Sequence, residues 1–135
     1  MEEEILCQPA VLAANAQTYF DTAQALRDRP FDMVLLAARG SSDNAALFAR
    51  YLFEIHLQVP VSLAAPSVIT RYKSEVRYPR CLTIGVSQSG AAPDVAEVLA
   101  YMRRQGHPTL AVTNTPGSRL TQEAGEWQKK QDLIA

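Results

Sequence analysis

Two short polar runs, Gly40-Ser41-Ser42 and Ser87-Gln88-Ser89-Gly90, each place hydroxyls beside a glycine directly after an apolar stretch. Ser42, Ser87 and Ser89 offer O–H donors sized for phosphate oxygens, and the Gln88 amide can donate to a phosphate or to a sugar hydroxyl. Gly40 and Gly90 let the backbone approach a ligand closely or adopt positive φ. Taken singly, either run reads equally well as a turn and helix cap. Two of them, each between an apolar run and a helical pattern, point to an anion held at two helix starts. Arg39 stands at the mouth of the first run, where its guanidinium would bind an anionic group or pair with Asp43 or Asp94. Thr113 and Asn114 close the last apolar run and are further candidate crevice residues, although Asn114-Thr115-Pro116-Gly117 also has the composition of a turn.

The remaining chemistry-bearing residues narrow the choice. Neither loop carries G-x-G-x-x-G and no G-x-x-x-x-G-K-[ST] occurs, so a small phosphate ester ranks ahead of NAD or ATP and no cofactor is expected. His56 and His107 both fall near helix ends, where capping or surface roles are the expectation. Lys73 and Glu75 lie in a stretch of weak pattern, with a solvated surface as their default. Cys7 and Cys81 are far apart in sequence and read as reduced thiols, neither a disulfide framework nor a metal pair. No acid–base pair is placed, and no catalytic residue is assigned: the residues describe a cradle more clearly than a reaction.

The elements that must position these loops follow from hydrophobic period. Residues 8–27 carry apolar positions at loosely helical spacing, which predicts a helix ahead of the polar break at Arg27–Pro30. Met33–Ala38 is a continuous apolar run, as in a strand covered on both faces, and the stretch from Asp43 returns to helical period. Pro60 and Pro66 bracket Val61–Ala65, a second strand, while Ser67–Pro79 has too little pattern to assign beyond room for a short helix. Cys81–Val86, then a helix through Val95, Val98, Leu99 and Met102, repeats the first unit. Thr109–Thr113 is a fourth strand. Alternating strands and helices predict an α/β fold with an open parallel sheet, whose ligand crevice lies beyond the carboxyl ends of the strands.

Bulk properties fit one soluble domain. The chain has 135 residues, 47% of them hydrophobic and 20% charged, enough for a sizeable core. Thirteen Lys and Arg against fourteen Asp and Glu give a formal net charge of -1, so nucleic acid is not an expected partner. Acidic residues stand where a signal peptide would be basic, and no apolar stretch is long enough to span a bilayer, so a cytoplasmic chain with no membrane partner is expected. The partition is a helical lead-in over 1–28, a ligand-binding domain over 29–125 and a polar tail over 126–135.

Ala38-Arg39-Gly40-Ser41-Ser42-Asp43-Asn44-Ala45-Ala46 together with Ile84-Gly85-Val86-Ser87-Gln88-Ser89-Gly90 resembles the sugar isomerase (SIS) domain, most nearly the first SIS domain of two-domain proteins related to the isomerase half of glucosamine-fructose-6-phosphate aminotransferase. The likeness extends over about residues 3–124. It implies a three-layer α-β-α sandwich with a flavodoxin-like sheet, and a hexose or aminohexose 6-phosphate held at Ser42, Ser87, Gln88 and Ser89. Members often continue that run with Gly-Glu-Thr-Ala-Asp, whereas this chain reads Gly90-Ala91-Ala92-Pro93-Asp94, so a threonine donor expected at Ala92 is gone. The acidic, histidine and lysine groups that the resemblance associates with isomerisation or amine release belong to a second SIS domain and C-terminal segment. Gly125–Ala135 departs from the family pattern, which suggests a fragment, a truncated product or a chain completed by a partner. The resemblance thus implies the phosphosugar-binding half of an aminosugar-phosphate isomerase or deaminase, acting as a homo-oligomer or with a second SIS domain. The alternative is a non-catalytic sugar-phosphate sensor or interaction module.

Overall fold

The computed structural model describes residues 2–125, with the expected polar tail over 126–135 lying outside the described residues. Four strands, β1 (Met33–Ala38), β2 (Val61–Leu63), β3 (Cys81–Val86) and β4 (Thr109–Val112), form one sheet in the order β2-β1-β3-β4. All three pairings are parallel. The strands β1 and β3 occupy the middle, which is why their runs are apolar without alternation: both faces are covered. The helices are α1 (Glu2–Arg27), α2 (Ser42–Leu57), α3 (Pro66–Thr70), α4 (Pro93–Arg104) and α5 (Arg119–Glu123). With helices on both faces of the sheet, the chain has the expected three-layer α/β architecture.

Element ends differ from the sequence expectation in three places. Helix α1 begins at Glu2, ahead of the expected residue 8, and runs through Pro9; acidic residues in its opening turn favour the positive end of the helix dipole. Strand β2 stops at Leu63 because Ala65 already caps α3 and Pro66 begins it, a position that suits a residue without an N–H. Strand β4 stops at Val112, opposite Val86 at the end of β3, and the Thr113 hydroxyl beyond it donates to the Gln88 carbonyl at 3.2 Å.

Helices α3, α4 and α5 close one face of the sheet. Leu35, Ile69, Val95, Leu99, Met102 and Leu120 are buried together there, and Gly85 makes room for the helices: a Cβ at that position would lie 2.9 Å from Leu99 Cδ1 and 3.2 Å from Leu120 Cδ1. Burial of this kind stabilises by roughly 1.5–3 kcal/mol per large aliphatic side chain. The other face carries Val34, Leu36, Leu82, Ile84 and Leu110, against which α2 sets Ala46, Ala49 and Phe53 and α1 sets Tyr19 and Leu26. Between α1, α2 and the sheet a largely apolar groove of about 970 Å³ remains, with Leu12, Phe20, Leu52, Leu82, Ile84 and Leu110 in its walls. The outer side of α2 is apolar as well, with Phe48, Tyr51 and Ile55 each about two-thirds exposed.

At the amino ends of the strands, Arg80 donates to both carboxylate oxygens of Asp32 at 2.8 and 2.9 Å, tying the start of β1 to that of β3. The guanidinium holds the Asp32 carboxyl below its ordinary value. His107 accepts a hydrogen bond from the Cys81 N–H at Nδ1, 3.3 Å away, and partial burial lowers its pKa. Cys81 itself is wholly buried, and desolvation raises its thiol pKa. No helix among the described residues is long and apolar enough to cross a membrane.

Candidate functional site

The sheet order reverses between β1 and β3: the chain leaves β1 toward β2 on one side, then returns past it to form β3 on the other. Loops that leave the carboxyl ends of two such strands diverge and open a crevice. Ala38 and Val86, the last residues of β1 and β3, are direct partners in the sheet register. The structure therefore brings Arg39-Gly40-Ser41 and Ser87-Gln88-Ser89-Gly90 side by side at one edge, strands in parallel register being about 4.8 Å apart.

The first loop is short because Gly40 takes a left-handed φ of 62°, allowing the chain to turn directly into α2. Asp43 N–H donates to the Gly40 carbonyl at 3.1 Å and Asn44 N–H to the Ser41 carbonyl at 3.2 Å. Ser41 caps the helix through its backbone without a side-chain hydrogen bond. Helix starts leave backbone donors open, and a hydroxyl acceptor usually satisfies one of them. Here Ser41 is exposed and Ser42 half-buried in the first turn.

The second loop is braced from several directions. Gly90 has φ 65° and its N–H donates to the Ser87 carbonyl at 3.1 Å, closing a tight turn. Ser87 is buried and donates its N–H to the Val112 carbonyl, whereas the Gln88 and Ser89 residues are exposed. The Gln88 carbonyl accepts both the Asn114 N–H at 3.0 Å and the Thr113 hydroxyl. Thr113 is almost wholly buried, so its side chain buttresses the loop, while Asn114 stays exposed. Ser89 Oγ accepts the Ala91 N–H at 3.3 Å, which leaves its own proton available to donate. Leu120 N–H donates to the Gly90 carbonyl at 3.1 Å, so the start of α5 is fastened to the loop.

Gly90 is required by packing as well as by φ. A Cβ there would collide with the Ser118 side chain and come within 3.0 Å of Thr113 Oγ1. Ser118 Oγ is buried without a hydrogen-bond partner among the described residues. This contact between Gly90 and Ser118 was not legible in sequence, because it joins residues from separate strand–helix units. In sequence, Asn114-Thr115-Pro116-Gly117 has the composition of a turn, and Ser118 lies just beyond it.

Arg39 and Asp94 span the two loops. Arg39 Nη1 lies 3.0 Å from Asp94 Oδ2, and Asp94 Oδ1 accepts the Val95 N–H at 3.0 Å in the first turn of α4. Of the two pairings open in sequence, Asp94 is the partner that the fold selects. His107 lies at the opposite end of the sheet beside Cys81, and the exposed His56 near the end of α2 borders the apolar groove. Neither belongs to the loop pair. Among the described residues no group of three or more His, Cys, Asp or Glu could hold a metal ion.

Comparison with known proteins agrees with this geometry. Residues 30–129 match the SIS domain model. The glutamine–fructose-6-phosphate aminotransferase of Zymomonas mobilis is 35% identical over 132 residues, covering 92% of this chain and 22% of that enzyme. This chain therefore spans about a fifth of that relative. A proposed phosphosugar isomerase from Silicibacter pomeroyi has a similar structure, with a TM-score of 0.79 and 35% identity over 85% of this chain and 35% of the other. The C-terminal domain of glucosamine-fructose-6-phosphate aminotransferase from Francisella tularensis superposes with a TM-score of 0.65 at 30% identity, covering 77% of this chain and 29% of that one. With parallel strands, paired serine loops at the reversal of strand order and a family match over most of its length, this chain belongs to the SIS domain family.

Proposed function

We propose that this chain is a phosphosugar-binding unit that holds the phosphate of a hexose or aminohexose 6-phosphate between Gly40–Ser42 and Ser87–Gly90. The observation that carries this reading is the register match of Ala38 with Val86, which sets both serine loops at one edge of the sheet. Charge-assisted hydrogen bonds from Ser42, Ser89 and nearby backbone N–H groups would supply much of the affinity. Relatives named as a fructose-6-phosphate aminotransferase and a proposed phosphosugar isomerase support the ligand class.

Binding and catalysis separate in this reading. A held phosphate stabilises ground state and transition state alike, so it lowers KM without speeding the proton transfer between C1 and C2. Catalytic groups belong to a second SIS unit, joined in the same polypeptide or supplied by association. The apolar groove beside α1 and α2 offers a surface for such a unit. Calorimetry tests the reading: fructose 6-phosphate binds at least about tenfold more tightly than fructose, and Ser42→Ala or Ser89→Ala removes much of that difference. Equal affinity for the two sugars overturns it. The chain alone shows no isomerase or deaminase turnover, and turnover lost on replacing Ser42 or Ser89 would place a catalytic residue within these 135 positions.

A further inference from the structure

The ion pair at the mouth of the crevice does more than join two loops. Arg39 directly follows β1, and Asp94 stands in the first turn of α4 after the second serine loop. One carboxylate oxygen of Asp94 faces Arg39 Nη1 at 3.0 Å while the other accepts the Val95 N–H. Asp94 is thus an internal anion in contact with the two features that would attract a ligand anion: a guanidinium and a helix start. An incoming phosphate must compete with that carboxylate for both.

The competition is set up to be won by a ligand. The side chains of Arg39 and Asp94 are 61% and 27% exposed, and an ion pair whose guanidinium remains largely in water contributes little to folding. A guanidinium carries five N–H donors, one nitrogen of which contacts Asp94 here, and a phosphate dianion can engage two donors at once. We propose that Arg39 and Asp94 form an exchangeable gate: Arg39 rests on Asp94 until a phosphate ester enters, then turns to the phosphate, and the stranded Asp94 charge sets an upper bound on affinity. This rests on the phosphosugar reading and deepens it, because it makes Asp94 an antagonist of binding and a discriminator between ligands of different charge.

The signs of two substitutions separate a gate from a brace. Asp94→Asn keeps an oxygen to accept the Val95 N–H but frees Arg39, so it tightens binding of fructose 6-phosphate and inorganic phosphate by roughly threefold to tenfold. Arg39→Gln weakens both by roughly tenfold, and Arg39→Lys lies between them. Neither substitution changes the weak affinity for fructose. Calorimetry at two salt concentrations, with thermal melts to verify folding, provides the readout. Weakening by both Asp94→Asn and Arg39→Gln would show a brace and overturn the gate, as would no change with either. If the Ser42 and Ser89 variants lose affinity while the Arg39 and Asp94 variants do not, the gate fails and the phosphosugar site stands. If the unmodified chain binds neither phosphate nor fructose 6-phosphate, both fail.

Discussion

The two faces of the sheet are finished to different degrees, and each governs one of the serine loops. On the closed face, α3, α4 and α5 bury Leu99, Met102 and Leu120, and α5 begins at the loop it braces through the bond from Leu120 N–H to the Gly90 carbonyl. On the open face, α2 covers part of the sheet while Leu52 and Phe20 border an unfilled groove. The first serine loop leads directly into this helix. One wall of the crevice is therefore anchored through several hydrogen bonds to a dense core, and the other hangs from a helix with apolar residues on both sides. Under the proposed phosphosugar reading, a ligand would be fixed against the braced loop, while the other loop would respond to whatever packs on α2.

Core truncation provides the largest contrast between the faces. Leu99→Ala on the closed face is expected to cost about 3–4 kcal/mol in urea unfolding, as for buried leucines that leave a cavity. Leu52→Ser at the groove costs under about 1 kcal/mol and lowers binding of a hydrophobic dye. Equal losses would erase the distinction.

Gly90→Ala sharpens the comparison at the loops. It places a side chain at left-handed φ and against Ser118, with an expected cost of about 2 kcal/mol and a matching loss of phosphate affinity. Gly40→Ala shares the conformational cost, but a Cβ there meets nothing within 4 Å. Thermal melts that rank Gly40→Ala as the more damaging would reverse the assignment of the braced wall.

A smaller effect lies at the base of the closed core. Burial lowers the His107 pKa, and its Nδ1 accepts the Cys81 N–H. The unfolded chain binds a proton more readily, so the stability from neutral His107 is present above the ordinary imidazole value of about 6.5 and is lost as pH falls through the lowered folded value. His107→Gln should flatten the dependence of unfolding midpoint on pH as pH falls below the ordinary imidazole value of about 6.5, with a change below about 1 kcal/mol, the scale of one hydrogen bond. An unchanged slope would remove His107 from this role.

Local pattern made the closed core and both loops legible. The expected runs Met33–Ala38 and Cys81–Val86 coincide with β1 and β3, because a strand covered on both faces needs uninterrupted apolar residues. The glycine turns marked the ends of these strands, and their order along the chain was enough to place them at one edge. What sequence withheld was long-range. Thr113 looks like a strand end or turn residue until its hydroxyl is found on the Gln88 carbonyl, and Asp43 and Asp94 were equivalent partners for Arg39 until α4 brought Asp94 within 3.0 Å. The exposed apolar side of α2 was also hidden, since a helical pattern rich in Phe, Tyr, Leu and Ile does not say how many of its sides meet the sheet.

Cys81 gives the central strand a chemical stopwatch. Its sulfur is buried beneath α4, 3.9 Å from Thr83 Oγ1, and desolvation keeps the thiol protonated to higher pH, so an alkylating reagent meets a reactive thiolate at this site only when β3 is uncovered. With the exposed Cys7 replaced by serine, the rate of mass gain under pulse alkylation would time the opening of the sheet's middle. Slowing of that rate by fructose 6-phosphate would convert ligand binding at one end of β3 into a mass-spectrometric signal at the other.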